Sequence, residues 1–560
     1  MATLNLHNDQ LPHFEKEKEN MDSITILEQE YHIGSRISID SQLATVRFIG
    51  HIPQWPNNTA IGIEWDDEER GKNDGSLDGI QYFETNGGGK SGSFMKLDLQ
   101  GRKLKKFNQI RSLFDGLIYQ YGSGIDFNDE SNDKKDIAEN GNQLLDKFYV
   151  DLGTRVMESY GFEKLARIQS DFKNLDVVSM SRLCIGNEFG ISLEKLGKML
   201  CNLQTLDLGF NLIDNWNVIV ELTAHLRNLV SITLNGNRFN NLGESVNIYT
   251  GSKIQKMSLA FCGLVYNDTK FIEVALNPFS KTVLHLNLAA NKFNNETINL
   301  LSSLSKFSKL EILDLSYNDF IQIDVMFFKT LESLKTLNLS HNRIHFGDTV
   351  TGQKLPHITS LDLSGNQIRE WDEIDTLREL FPNLESIKLI DNPVFEGTDA
   401  IEALDVAIGQ LLSRLPNVTK VDGTTYTQDQ RKNYELYFIS SVSSNRIKYN
   451  MKSSNWIRLC NKHGISDKQQ SKLSPNLHDG IILDVFFQDS LAFKQMVLPH
   501  CYTVGKLRGY ASRKLGFNVL DFKLYFAFVE TSTQLEVLKN DQELLGRFNL
   551  HDGDFIFVKQ

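Results

Sequence analysis

The chain has few cysteines, and their arrangement excludes two classes of small-domain architecture. Five cysteines occur in 560 residues, an odd number, and none forms a Cys-x-x-Cys pair or another metal-ligand spacing. Disulfide frameworks and zinc modules need such pairs, so the sequence predicts neither of them and no metal site. The chain shows no nucleotide-binding motif, and we expect no cofactor. Scattered free thiols are typical of proteins from reducing compartments, where they serve as small buried hydrophobic groups. They are Cys184, Cys201, Cys262, Cys460 and Cys501.

Long apolar runs are also missing. No segment approaches the roughly 18 consecutive apolar residues that a membrane-spanning helix requires. Residues 1–20 are polar and lack the apolar centre of a secretory signal. The sequence therefore predicts a cytoplasmic protein with no membrane partner.

Positive charge is scarce over the chain as a whole. Lysine and arginine total 59 against 71 aspartates and glutamates, which gives a net charge of −12. This balance argues against nucleic-acid binding, whereas a local basic segment on an acidic protein favours a local acidic ligand. Residues 90–106 form such a segment, with Lys90, Lys96, Arg102, Lys103, Lys105 and Lys106 against Asp98.

Short apolar and aromatic runs, punctuated by glycine, surround the loop Gly71-Lys72-Asn73-Asp74-Gly75. Residues 44–50 and 61–66 precede this loop, and residues 82–83 and 91–96 follow it. Glycines at such intervals mark places where the backbone needs a positive φ or a close approach. The pattern predicts a small, strongly bent all-β domain.

The order of these segments resembles the CAP-Gly domain, a module that binds the acidic, aromatic-ended C-terminal tails of tubulin and similar proteins. A peptide ending in carboxylates needs cationic and amide donors at the groove mouth and an apolar slot for its last ring. Lys72 supplies a charge and Asn73 supplies amide groups. The predicted tail-binding residues are Gly71, Lys72, Asn73, Asp74, Gly75 and Lys96, with Phe48, Trp65, Phe83 and Phe94 as slot walls. The same aromatic residues also suit the core of a small domain, and both interpretations stay open.

A second pattern starts near residue 200, where the chain repeats itself. Leu203-x-x-Leu206-x-Leu208-x-x-Asn211 recurs seven times, and its last position advances by 24 to 29 residues. This is the leucine-rich-repeat pattern, in which stacked units share one long core. We expect the Asn side chain to turn inward and bond backbone groups, with Cys262 in its place in the third unit. Residues 175–180 resemble a degenerate first unit.

Further predictions concern the ends and the inner surface of this α/β solenoid. Residues 415–423 and a helix over residues 428–438 resemble a C-terminal cap. The strand residues that flank the buried leucines line a concave face of mostly small, polar side chains, including Asp207, Asp314 and Asp362. A solvated sheet face explains each residue singly, but a curved surface of this size is more typical of protein binding.

The C-terminal segment has a different pattern of predicted secondary structure. Residues 481–487 and 493–498 read as a hairpin, residues 503–515 as a helix with Thr503 as N-cap, and residues 522–529 and 550–558 as strands. This order resembles an α+β ubiquitin-like β-grasp domain. The chain ends at Gln560 without the diglycine that conjugation requires, so we expect a docking module.

The three modules in this order resemble the tubulin-folding cofactor E family. The resemblance implies a multidomain chaperone, not an enzyme, that binds α-tubulin. With other tubulin-folding cofactors and a small GTPase, it would assemble or dissociate the αβ-tubulin dimer in the cytoplasm, near the cytoskeleton. The expected domains are an N-terminal tail (1–28), the CAP-Gly domain (29–110), a partly disordered linker (111–165), the capped repeats (166–440), a second linker (441–478) and the ubiquitin-like domain (479–560).

Two other functional classes remain open. A microtubule-associated scaffold would share the CAP-Gly domain but usually adds coiled-coil heptads or a second CAP-Gly domain, and neither is visible. A ubiquitin-pathway enzyme or adaptor would carry a catalytic Cys with a His, or ubiquitin-binding helices. Cys501 beside His500 is such a pair in sequence, but it lies in an expected strand-to-helix turn.

Overall fold

The computed structural model describes residues 32–56, 58–86, 89–97, 107–122, 171–239, 242, 252–267, 269–346, 353–395, 401–465, 480–487, 490–499, 502–527, 535–548, 550 and 553–559. Two compact units divide the chain, Met1–Leu339 and Ser340–Gln560. The predicted tail (1–28) and most of the predicted linker (111–165) lie outside the described residues.

The first unit starts with the predicted β domain. Its strands are β1 (Arg36–Ile39), β2 (Gln42–His51), β3 (Thr59–Trp65), β4 (Ser76–Leu77), β5 (Ile80–Gln81) and β6 (Gly92–Leu97). An antiparallel sheet has the order β1–β2–β3–β6, and β4 pairs with β5. Successive side chains of a strand point to opposite faces, so Ile61, Ile63 and Trp65 of β3 enter the core while Gly62 lies on the other face.

Helix α1 (Leu113–Tyr121) lies in the segment that the sequence assigns to a linker. Ser112 and Asp115 form a capping box at its N-terminus, which satisfies backbone N–H groups that have no partner within the helix. Leu117 is fully buried, and the backbone of Gly116 lies against Ile185 of the first repeat. The helix therefore packs onto the start of the repeats.

The repeats of this unit form one parallel sheet in chain order. Its strands are β7 (Val177–Ser179), β8 (Thr205–Asp207), β9 (Ser231–Thr233), β10 (Lys256–Ser258), β11 (His285–Asn287), β12 (Ile312–Asp314) and β13 (Thr336–Asn338). The central residue of each strand is apolar and buried, and the two flanking residues are not. Strand β7 confirms the predicted degenerate first unit. The opposite side carries α2 (Leu193–Met199), α3 (Trp216–His225), α4 (Thr269–Leu276), α5 (Val325–Lys329) and short 3₁₀ segments.

Inward asparagines hold consecutive repeats together, as predicted. Asn291 donates hydrogen bonds to the carbonyls of Leu259 (2.8 Å) and Leu288 (3.0 Å). Its Oδ1 accepts hydrogen bonds from the backbone N–H groups of Cys262 (3.0 Å) and Leu264 (3.1 Å). Cys262 takes the equivalent position in the preceding repeat and donates to Leu234 through its thiol. Burial raises the pKa of this thiol to about 12, so Cys262 is a neutral packing residue.

The second unit starts with strands and helices of the same repeat pattern. Its elements are β14 (Ser360–Asp362), α6 (Trp371–Leu380), β15 (Ser386–Lys388), α7 (Ile401–Arg414), β16 (Lys420–Val421), β17 (Thr424–Thr425), α8 (Gln428–Ser443) and α9 (Ser454–Lys462). Strand β17 turns back antiparallel on β16 and ends the sheet, as the predicted cap requires. Helix α9 packs Trp456 against Phe438 of α8.

A second sheet forms the C-terminal part of this unit. It contains β18 (Gly480–Phe487), β19 (Ser490–Pro499), β20 (Lys523–Ala527), β21 (Glu536–Val537) and β22 (Asp554–Lys559), in the order β19–β18–β22–β20–β21. Strands β18 and β22 are parallel. Helix α10 (Val504–Leu515) begins at the N-cap Thr503, as predicted. Its Leu507 is buried with Leu483 and Ile556 in the core of this part.

Candidate functional site

The loop of residues 71–75 is fixed by backbone hydrogen bonds to β6. The N–H groups of Lys72 and Asn73 donate to the carbonyl of Gly92 (2.7 and 3.1 Å), and Gly92 N–H donates to the carbonyl of Asn73 (2.8 Å). A side chain at Gly71 has no room, because a Cβ there would lie 1.8 Å from the Lys90 carbonyl oxygen. Gly75 has φ +92°, a conformation that favours glycine. The two flanking glycines thus allow the loop to lie tightly against β6.

Within this fixed loop, Lys72 and Asn73 present polar groups to the surroundings. Lys72 is exposed, and none of the described residues forms an ion pair with its ammonium group. Asn73 uses its Oδ1 to accept a hydrogen bond from Gly75 N–H (3.1 Å), so its acceptor stabilises the turn and its NH₂ group is the part left for a ligand. Asp74 similarly accepts hydrogen bonds from Ser76, and these lower the pKa of its carboxyl group. The loop therefore offers a cation and amide donors.

Four aromatic rings form a cluster on the face of the sheet that carries Gly62. Phe48 and Phe94 both pair with Gly62, one from each neighbouring strand. Tyr82 lies 5.2 Å from Phe48 and 5.5 Å from Phe94, and Phe83 lies 5.3 Å from Phe94, all between ring centroids. A Cβ at Gly62 would lie 2.4 Å from the Phe83 ring, so glycine makes room for the cluster. The four rings form an apolar surface beside the glycine loop, and we refer to this surface as the aromatic slot.

Trp65 does not join this cluster, although the sequence includes it among the slot walls. It is 8% exposed and packs with the core of the β domain. Its indole Nε1 donates to Ser93 Oγ (3.0 Å), and the guanidinium of Arg70 lies over its ring at 4.4 Å. Along β3, Trp65 comes three residues after Gly62. Because successive side chains alternate between faces, Trp65 lies on the face opposite to Gly62 and the cluster.

Tyr82 belongs to the cluster but is absent from the predicted slot walls. Its ring contacts two of the predicted wall residues, and its hydroxyl is buried with no hydrogen-bond partner among the described residues. The signal in the sequence is weak, because Tyr82 and Phe83 are adjacent and strand alternation predicts that only one of them faces the slot. Both do so because residues 82–86 follow β5 and belong to no strand.

Lys96 extends the cationic surface along the same face of β6 as Phe94. Its ammonium lies 5.0 Å from the centre of the Trp55 ring, a cation–π contact that leaves the charge available to an acidic ligand. The remainder of the predicted basic segment, residues 98–106, lies outside the described residues.

The three predicted concave-face aspartates all end a strand and brace the turn that follows it. Oδ1 of Asp207 accepts from Gly209 N–H (2.9 Å), Oδ1 of Asp314 from Ser316 N–H (2.9 Å), and Oδ1 of Asp362 from Ser364 N–H (3.1 Å). Each therefore has a structural role in its own repeat. Asp362 also forms an ion pair with Lys388 (2.9 Å), whereas no cation of the described chain pairs with Asp207 or Asp314.

Two classes of site have no representative in the part of the chain that the structure describes. There, no group of three or more His, Cys, Asp and Glu side chains is arranged to hold a metal ion. None of the described helices has the length and apolar character needed to cross a membrane.

Family comparisons agree with two of the three modules predicted from the sequence. Residues 33–99 match the CAP-Gly domain family, and residues 308–368 match the leucine rich repeat family. The first match covers the glycine loop and the whole aromatic cluster. The predictions of a CAP-Gly domain and of leucine-rich repeats are therefore confirmed.

Full-length relatives extend the similarity beyond these two modules. The chain is 28% identical to Protein PAC2 of Saccharomyces cerevisiae, over 94% of this chain and 96% of the relative. It is 26% identical to Tubulin-specific chaperone E of Xenopus laevis and 23% identical to that of Homo sapiens, in both cases over 94% of this chain and 98% of the relative. The predicted resemblance to the tubulin-folding cofactor E family is confirmed over nearly the full length.

Proposed function

We propose that this chain is a tubulin-folding chaperone that captures α-tubulin. Together with other tubulin-folding cofactors and a small GTPase, it promotes assembly and dissociation of the αβ-tubulin dimer in the cytoplasm, in association with the cytoskeleton. The observation that carries the proposal is the aromatic slot beside a glycine-flanked loop whose lysine has no acidic partner among the described residues. The names of the full-length relatives support the same role.

The aromatic slot is the proposed site for the acidic C-terminal tail of α-tubulin. Phe48, Tyr82, Phe83 and Phe94 form an apolar surface for a terminal aromatic ring. Lys72, the NH₂ group of Asn73 and Lys96 lie at positions suited to the carboxylates that precede this ring. Hydrogen bonds with a charged partner are shorter and stronger than neutral ones, so these three residues supply affinity and the slot supplies selectivity for an aromatic end.

The concave sheet is the proposed site for the folded body of α-tubulin. A contact with the tail alone leaves the interface between the two tubulin subunits untouched, so it supplies no differential free energy between dimer and isolated subunit. A second contact must favour isolated α-tubulin. The polar edges of β7 to β13 offer an extended surface, and uncompensated Asp207 and Asp314 give it local negative charge.

The C-terminal five-stranded sheet is proposed to be a ubiquitin-like docking domain. A hairpin, a helix packed on the sheet and a parallel pairing of its first and last strands are the features of a β-grasp fold. We propose residues 479–560 for this domain, 29–110 for the CAP-Gly domain and 166–440 for the capped repeats. No enzymatic activity is proposed. Of the two alternative classes, a microtubule scaffold would bind the same acidic tubulin tails, and a ubiquitin-pathway adaptor would bind partners from that pathway.

A peptide-binding measurement tests the tail site. Isothermal titration calorimetry compares the wild type with Lys72→Ala, using a peptide that ends in Glu-Glu-Tyr. Loss of a hydrogen bond to a charged group costs roughly 1.5–3 kcal/mol, so the affinity should fall about ten- to a hundredfold. Added salt should weaken wild-type binding, because the groove is exposed to solvent.

The matched control is Lys198→Ala, which removes an exposed lysine of α2. Its peptide affinity should equal that of the wild type. If a folded Lys72→Ala, Asn73→Ala double variant retains wild-type affinity, the tail does not bind at this loop.

A further inference from the structure

Two acidic side chains of the CAP-Gly domain meet two basic side chains of the repeats. Asp66 lies 3.9 Å from Arg238, and Glu68 forms an ion pair with Lys292, 224 residues away in sequence. A cleft between the two parts is lined from the β domain by Arg47 and Glu64, and from the repeats by Gly263 and Tyr266. We call this contact the clasp.

On the repeat side, the clasp is formed by the residue that directly follows the inward Asn or Cys in three consecutive repeats. Arg238 follows the inward Asn237, Gly263 follows Cys262, and Lys292 follows the inward Asn291. A Cβ at Gly263 would lie 3.3 Å from the guanidinium of Arg238, so the glycine between the two basic residues leaves room for the arginine. Arg238 is fixed further by donating to the carbonyl of Phe261.

The CAP-Gly side of the clasp lies directly before the glycine loop. Asp66 accepts two hydrogen bonds from Arg36 (2.7 and 2.6 Å), which tie it to the domain's own sheet. Residues 66–70 then lead from β3 to Gly71. Asp66 and Glu68 therefore belong to the segment that leads directly into the loop with Lys72 and Asn73.

We propose that Arg238 and Lys292 are positioning residues for the CAP-Gly domain as a whole. They hold the CAP-Gly domain on the edge of the repeats, so that the aromatic slot and the concave sheet of the first unit present one fixed arrangement to a single ligand. A fixed arrangement raises the effective concentration of the second site once the first is occupied. This inference rests on the proposed function, in which tail and body of α-tubulin bind to the two surfaces.

Exchanging the two charges of the Glu68–Lys292 ion pair distinguishes a role in positioning the CAP-Gly domain from a role in fold stability. Glu68 and Lys292 are each about two-fifths exposed, so reversing either charge should leave the fold intact. Lys292→Glu places two acidic groups together and should open the clasp, whereas Glu68→Lys combined with Lys292→Glu restores opposite charges. Lys306→Glu is the matched control, because it breaks a similarly exposed ion pair with Glu273 inside the repeats.

Two readouts apply to all three variants and the wild type. The first is hydrogen exchange, by mass spectrometry, of peptides that cover residues 64–76, without any ligand. The second is the affinity for αβ-tubulin compared with the affinity for the Glu-Glu-Tyr peptide. Lys292→Glu should exchange faster and should bind tubulin about threefold more weakly, the scale of a lost surface ion pair. Its peptide affinity should stay that of the wild type.

The charge-exchanged double variant should restore both exchange and tubulin affinity, and Lys306→Glu should change neither. Exchange at residues 64–76 that is unaffected by Lys292→Glu overturns the clasp. Faster exchange with unchanged tubulin affinity, or no rescue by the double variant, overturns the positioning role. A wild-type chain that binds neither the peptide nor tubulin contradicts the proposed function instead, whatever the exchange measurements show.

Discussion

At the scale of single residues, the inward asparagines stabilise the repeats by bonding buried backbone groups. Asn291 is fully buried and satisfies two carbonyls and two N–H groups of the chain around it. A buried backbone group that loses its partner costs about 1–3 kcal/mol. Cys262 at the same position makes fewer bonds, so one repeat tolerates a weaker version of this contact.

The first residue-scale prediction concerns Asn291. Asn291→Ala orphans several buried backbone groups, so the free energy of unfolding of the first unit should fall by about 3 kcal/mol or more. Urea denaturation followed by circular dichroism measures the change. Asn299→Ala, at an exposed position of the same repeat, serves as control and should change stability by less than about 0.5 kcal/mol. Equal losses in the two variants would show that the inward bonds are unimportant.

The candidate site was partly predictable at this scale. The spacing of glycines around Lys72 and Asn73 identifies the loop, because a positive φ such as that of Gly75 favours glycine and the contact of Gly71 with Lys90 leaves no room for a side chain. The face on which an aromatic residue lies was less predictable. Trp65 belongs to the core because it follows the regular alternation of Ile61 and Ile63 along β3. The bulge in β2 brings Phe48 to the face of Gly62, and the irregular backbone after β5 lets Tyr82 join the cluster.

At the scale of elements, the repeats are predictable from the sequence because each unit has the same spacing of leucines and asparagine. Helix α1 was not recognised, although Ser112-x-x-Asp115 is a capping signal and Leu113, Phe114 and Leu117 form an apolar side. A single short helix beside a polar stretch has no repeated motif from which it could be predicted. Its role depends on contacts with Ile185, some 70 residues later, and such contacts leave no local trace in a sequence.

The element-scale prediction concerns the link between β1 and the end of β3. Arg36 of β1 holds Asp66. Burial raises the pKa of Asp66, but Arg36, with contributions from Arg238 and Arg47, outweighs burial, and the pKa lies below its ordinary value of 3.8. A carboxyl whose pKa is lower in the folded chain stabilises the fold above its unfolded pKa. This stabilisation is lost as the pH falls through the folded pKa.

Asp66→Asn should therefore destabilise the CAP-Gly domain by about 3 kcal/mol at pH 7, the scale of a broken buried pair. The difference from the wild type should shrink once the pH falls below about 3.8. Hydrogen exchange of peptides from β1 and β3 measures this part of the chain separately. Asp78→Asn, an exposed aspartate of the same domain, is the control. A difference that grows as the pH falls would contradict the assignment.

At the scale of the whole molecule, the account requires that the concave sheet contributes something the tail site does not. Asp207→Asn with Asp314→Asn removes two charges that no described cation compensates, while the amide oxygen can still brace each turn. Binding of αβ-tubulin should weaken, and binding of the tail peptide should not, as titration of both ligands can show. Asp362→Asn alone is the control, because Lys388 already balances that charge. Unchanged tubulin binding in the double variant would place the working surface elsewhere.

The central claim is that this chain captures α-tubulin, and one mixing experiment tests it most directly. Purified chain is incubated with αβ-tubulin, and the products are separated by size-exclusion chromatography and identified by mass spectrometry. The account predicts a complex that contains this chain and α-tubulin without β-tubulin. Tubulin that elutes only as the intact αβ dimer, with or without the chain bound to it, would contradict the account.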